Sequence, residues 1–153
     1  MGIFDFFKKK SASVINFLTG FQSWFTNLND EAISEKILKK AESLLTEETP
    51  ILDIHFLYGS MIKHYYKKRN IDSCFYELAK KYCIKQIKIS KIAKEAFLSE
   101  PSWEELPSHL GYLQLSIILE KEKKHKEAIL LCEKADALGW SSDWSKRITR
   151  LNK

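Results

Sequence analysis

From residue 31 onward, apolar side chains recur at spacings of three and four, and only three prolines, Pro50, Pro101 and Pro107, interrupt them. That period is the 3.6-residue turn of an α-helix, not the alternation of a half-buried strand. Residues 31–45 carry Ile33, Ile37, Leu38, Ala41, Leu44 and Leu45 on one side, with Glu35, Lys36, Lys39 and Lys40 on the other. A second helix is expected over 54–68, N-capped by Asp53, in which Phe56, Leu57, Tyr58, Met61, Ile62, Tyr65 and Tyr66 recur. A long third helix, capped by Asp72 or Ser73, runs to Leu98, gathering Phe75, Ala79, Tyr82, Cys83, Gln86, Ile89, Ala93 and Phe97 on one face. Ser99, Pro101, Ser102 and Pro107 then make a loop, and Ser108 is placed to cap a fourth helix over 109–123. A fifth spans 125–138 and stops at Gly139, and a short sixth follows Ser142 or Asp143, with Trp144, Ile148 and Leu151 inward. With five Gly and three Pro in 153 residues, an all-α chain is the expectation.

Charge is unevenly spread along this pattern. Residues 54–99 hold ten Lys or Arg against three acids, whereas the flanking stretches are acidic or balanced. On the third helix Lys81 and Lys88 point away from the apolar face and Lys80, Lys85 and Lys91 lie on its flanks, which is the pattern of a solvated surface. No aromatic residues alternate with these lysines, so nucleic acid is not expected as a partner. Cys74, Cys83 and Cys132 are odd in number and lack zinc-ligand spacing, which points to a reducing, cytoplasmic setting. No apolar run is long enough to span a bilayer. Neither a secretory signal nor an acylation motif is read, Phe6 standing where Ser or Thr is required.

Residues 109–140 carry a more specific pattern. Tyr112, Leu115, Ser116 and Leu119 on one helix, then Ala128 and Ala135 on the next, resemble a tetratricopeptide repeat in identity or class and in register. Cys132 replaces the usual aromatic, and Trp140 stands where proline often ends the unit. An earlier, degenerate unit covers 55–89, in which Tyr58, Met61, Ile62 and Tyr65 stand like the first helix and Ala79 and Cys83 like the second. The resemblance implies antiparallel helical hairpins stacked as a short array over 30–153, with the helices at 31–45 and 143–151 as caps. Two units are fewer than a free-standing array needs, so capping or self-association into a homo-oligomer is expected.

In that family the first helix of each repeat lines a concave groove for a protein or peptide partner. By register the groove presents Phe56, Gly59, Lys63, Tyr66 and Lys67 from the first unit, and Leu110, Leu113, Ile117, Glu120 and Lys121 from the second. Lys63 and Lys67, one turn apart, suit a carboxylate or acidic stretch, while Tyr66, Leu113 and Ile117 offer apolar contact. The competing reading is that Leu113 and Ile117 only pack against another helix. No catalytic site, metal site or cofactor is expected. His55, His64, His109 and His125 are scattered, and no phosphate loop, nucleophile elbow or HExxH pair is present. Cys83 and Cys132 fall at core positions as inert thiols.

Residues 1–29 form a separate amphipathic segment. Uncharged from Ser11 to Asn29, it places Val14, Phe17, Leu18, Phe21, Trp24, Phe25 and Leu28 in one stripe, preceded by Lys8, Lys9 and Lys10. Such a segment suits an anionic membrane surface, making the chain a peripheral membrane protein, or else packs on the helical core as a cover. Both readings stand at this point.

Overall fold

The computed structural model describes residues 31–153, with side chains from residue 35, and among these residues it holds seven helices and no strand. They are α1 (Glu31–Ser43), α2 (Ile51–Lys67), α3 (Ser73–Lys88), α4 (Ser90–Leu98), α5 (Leu110–Lys121), α6 (His125–Leu138) and α7 (Trp144–Leu151). The amphipathic stretch with Phe17, Leu18, Phe21, Trp24 and Phe25 lies outside the described residues.

The fold is all-α, and side-chain pairs give the sense of each neighbour. Tyr65, near the end of α2, stacks on Phe75 at the start of α3. At the other end, Gln86 of α3 donates to the His55 carbonyl of α2 (2.8 Å), so the two helices run antiparallel. Gln86 also accepts from the Gly111 N–H at the start of α5 (2.7 Å). Lys80, earlier in α3, reaches Glu122 just beyond the end of α5 (2.7 Å), making α3 and α5 antiparallel as well. It follows that α2 and α5 run parallel, with α3 packed against both. Helix α1 packs on α2 and reaches the flank of α3, Glu42 accepting from the Tyr82 hydroxyl and the Lys85 ammonium at 2.5 Å each. Helix α7 closes the other end, with Arg147 and Arg150 donating to Glu120 of α5 (3.1 and 2.7 Å).

The core follows the sequence period. Leu57, Met61, Ile62 and Tyr65 of α2 meet Ala79, Tyr82 and Cys83 of α3 and Tyr112, Leu115 and Ile118 of α5, all buried. Each large aliphatic or aromatic side chain so enclosed contributes about 1.5–3 kcal/mol relative to exposure. Ser116, Ala128 and Ala135 are fully enclosed, and their small volumes let α5 and α6 approach closely.

Three local expectations are corrected. Helix α2 starts three residues early, behind Pro50, whose fixed φ (−55°) suits a helix entrance; Asp53 is inside the first turn and buried, not a cap. The long third helix is broken at Ile89 (φ −94°, ψ 2°). The break lets α4 turn Ala93 and Phe97 into the core and sets the Ser90 Oγ 3.3 Å from the Tyr112 hydroxyl. Ser108 is exposed, and His109 caps α5 instead, its Nδ1 accepting from the Tyr112 N–H (3.3 Å). Two other signals are met. Asp72 caps α3 through the Cys74 N–H (2.8 Å). Gly139 closes α6 at φ +85°, where the Trp140 N–H returns to the Ala135 carbonyl (3.1 Å).

Candidate functional site

Because α2 and α5 are parallel and adjacent, they join residues that are 55 apart in sequence. The Lys121 ammonium donates to the Tyr66 hydroxyl at 2.9 Å and lies 5.5 Å from its ring centroid. The Arg69 guanidinium covers the same ring at 4.3 Å and donates to the Tyr66 carbonyl at 2.8 Å. Tyr66 thus engages two cations, Arg69 over its electron-rich face and Lys121 at its hydroxyl. Lys63 and Lys67 are exposed on α2. Cations at the carboxyl ends of two parallel helices also meet the negative ends of both helix dipoles.

Toward the amino ends the same side turns apolar. Phe56 is 37% exposed, with its ring edge-on to His55 (5.5 Å) and Phe97 (5.8 Å). Leu110 and Leu113 are half-buried against the core, and Ile117 is half-buried one turn further along α5. Glu120 is engaged by Arg147 and Arg150, so it fastens α7. Gly59 does not line this side, because it faces α3: a Cβ there would come within 3.2 Å of the Gln86 Nε2.

Sequence reasoning missed a buried polar centre behind Phe56. His55, His109 and Trp140 form a triangle of rings, with centroids 5.0 Å apart for the two histidines, 4.7 Å for His109–Trp140 and 5.8 Å for His55–Trp140. All three side chains are enclosed, and His55 Nδ1, His109 Nε2 and Trp140 Nε1 have no hydrogen-bond partner among the described residues. Burial holds His55 down to about 4. Burial, with His55 beside it, holds His109 down to about 3. Both imidazoles are therefore neutral at pH 7. Asp53 Oδ2 is likewise unpartnered, and burial pushes its carboxyl up to about 6, outweighing the favourable amino end of α2. The two histidines are 54 residues apart and nothing local pairs them.

Cys83 and Cys132 are buried, as their helix positions predict, and Cys74 is exposed. Burial pushes Cys83 up to about 12, far from a reactive thiolate. Among the described residues no group of three or more His, Cys, Asp or Glu is arranged to hold a metal, and no helix is long and apolar enough to cross a membrane. Comparison with protein-family models, with curated proteins and with solved structures finds no match to this chain.

Proposed function

We propose that this chain is a non-catalytic interaction module that binds an extended or helical peptide along the side shared by α2 and α5, as tetratricopeptide repeats do. The observation that carries the reading is the Lys121–Tyr66 hydrogen bond. It joins the two helices that the repeat register assigns to a groove, and it anchors a cationic end beside an apolar one. An acidic residue of the partner sits against Lys63, Lys67 and Lys121, while its apolar residues follow Phe56, Leu113 and Ile117. The alternation α2–α3–α5–α6, with Ala79, Ser116 and Ala128 enclosed at the helix contacts, supports the repeat reading.

The test is a peptide array that varies acidic and apolar positions, followed by titration of the best binder against the full chain. Reversing charge at Lys63 and Lys67 together is expected to weaken that peptide by about tenfold or more, since each charge-assisted contact contributes about 1.5–3 kcal/mol when formed. An affinity unchanged by both reversals would remove this side of the molecule as the binding surface.

A further inference from the structure

The inner sides of α3 and α4 pack on α2 and α5, which leaves an outer side that no described element covers. At 100° per residue, Lys81, Ile84 and Lys88 fall within about 60° on α3, and Lys91, Ile92 and Leu98 within about 120° on α4, each set away from its helix's buried residues. Sequence periodicity reads this side as a solvated lysine face, but it is studded with aliphatic side chains: Ile84 is 42% exposed, Ile92 58% and Leu98 53%. The lysines differ in their engagement. Lys80 and Lys85, on the flanks, are tied to Glu122 and Glu42. Lys81, Lys88 and Lys91 are exposed and form no ion pair among the described residues. A hollow of about 400 Å³ on this side is lined by Lys80, Lys81, Lys85 and Lys88, together with Ile84 and Glu77.

We propose that this outer side of α3 and α4 docks on an anionic lipid bilayer. Headgroup phosphates settle among Lys81, Lys88 and Lys91, and Ile84, Ile92 and Leu98 enter the boundary between headgroups and acyl chains. Apolar residues set singly between ammonium groups make several shallow insertions instead of one continuous seam for a partner helix. Lysine stems lie along apolar surface while their heads stay in the polar layer, which this spacing permits. Glu77 and Glu95 are exposed on the same side and temper its charge, so the attachment is salt-sensitive. The surface lies on the opposite side of α3 from α2 and α5, and a peptide held there leaves it open.

Flotation of the full chain tests this, using phosphatidylcholine vesicles with and without about one-third phosphatidylserine. The wild type is expected to float only with the anionic vesicles. K81E/K88E/K91E is expected to lower partitioning by about a hundredfold or more, given the contribution of each lysine near such a surface. I84S/I92S/L98S lowers it at constant charge, by about tenfold. Circular dichroism checks that both variants keep their helix; should the charge reversal unfold the chain, K81Q/K88Q/K91Q takes its place. Three results would overturn the proposal: no flotation of the wild type, equal flotation with uncharged vesicles, or flotation abolished by F21S/W24S yet untouched by both outer-side variants. An acidic peptide that binds this side in a chain that ignores vesicles would overturn it too.

Discussion

Gly111→Ala is expected to destabilise this protein although it replaces glycine by the best helix former. An ideal Cβ at Gly111 would lie 2.9 Å from the Gln86 Oε1, 3.0 Å from the Cys83 carbonyl oxygen and 3.1 Å from the His109 Cε1. Two of those atoms belong to backbone or to an enclosed ring, so the Gln86 amide is the group that must move. Moving it breaks the 2.7 Å bond from the Gly111 N–H and the 2.8 Å bond to the His55 carbonyl. Each buried polar group left unpaired costs about 1–3 kcal/mol, against at most about 1 kcal/mol gained from removing a helical glycine. With one group unpaired at each of the two broken bonds, the net loss is about 1–5 kcal/mol, or a melting temperature lower by roughly 10 °C. Gly59→Ala is the internal control. Its Cβ meets only the Gln86 Nε2 at 3.2 Å, so a shift of a few tenths of an ångström suffices and stability changes by about 1 kcal/mol or less. Urea denaturation followed by circular dichroism measures both, and a Gln86→Ala background tests the mechanism, since removing the amide should recover a large part of the Gly111→Ala loss. If Gly111→Ala is as stable as the wild type, or its cost is the same without Gln86, the wedged amide does not hold α2, α3 and α5 together.

The buried histidines give a second expectation. Their folded values, about 4 and about 3, lie below the ordinary 6.5, so in acid the unfolded chain binds two protons that the folded chain refuses. Asp53, raised to about 6, opposes this by taking up one proton in the folded state. Between pH 6 and 5 the unfolded chain holds about one proton more, and stability should fall by about 1.4 kcal/mol per pH unit as pH is lowered. His55→Leu removes one of the two and should flatten the profile in that window; an unchanged slope in denaturation midpoints would contradict the assignment. Trp140→Ala removes one ring of the triangle and should cost about 3–5 kcal/mol, read as a lower urea midpoint with unchanged slope.

The helices were legible because each buries one stripe, and a stripe repeats at the period of the backbone. Asp72 and Gly139 were legible because a cap or a left-handed terminus needs only its neighbours. The bend at Ile89 was not, since Ser90, Ala93 and Phe97 continue the same apolar face. What breaks the helix is the position of their partners Tyr112 and His55 on other helices. Asp53 failed as a cap for a similar reason: Pro50 offers an earlier helix start, and the surrounding fold then encloses the carboxyl.

The candidate surfaces divide along the same line. The sequence by itself determined an all-α chain, most of the apolar residues that face inward, the burial of Cys83 and Cys132 and the exposure of Lys63 and Lys67, since each follows from amphipathic periodicity on a single helix. Only the tertiary structure decided that Tyr66 meets Lys121, that Glu120 is claimed by α7, and that His55, His109 and Trp140 share one dry centre. Those pairings join positions tens of residues apart, and the distance between such positions is set by how helices pack, a quantity no local period carries.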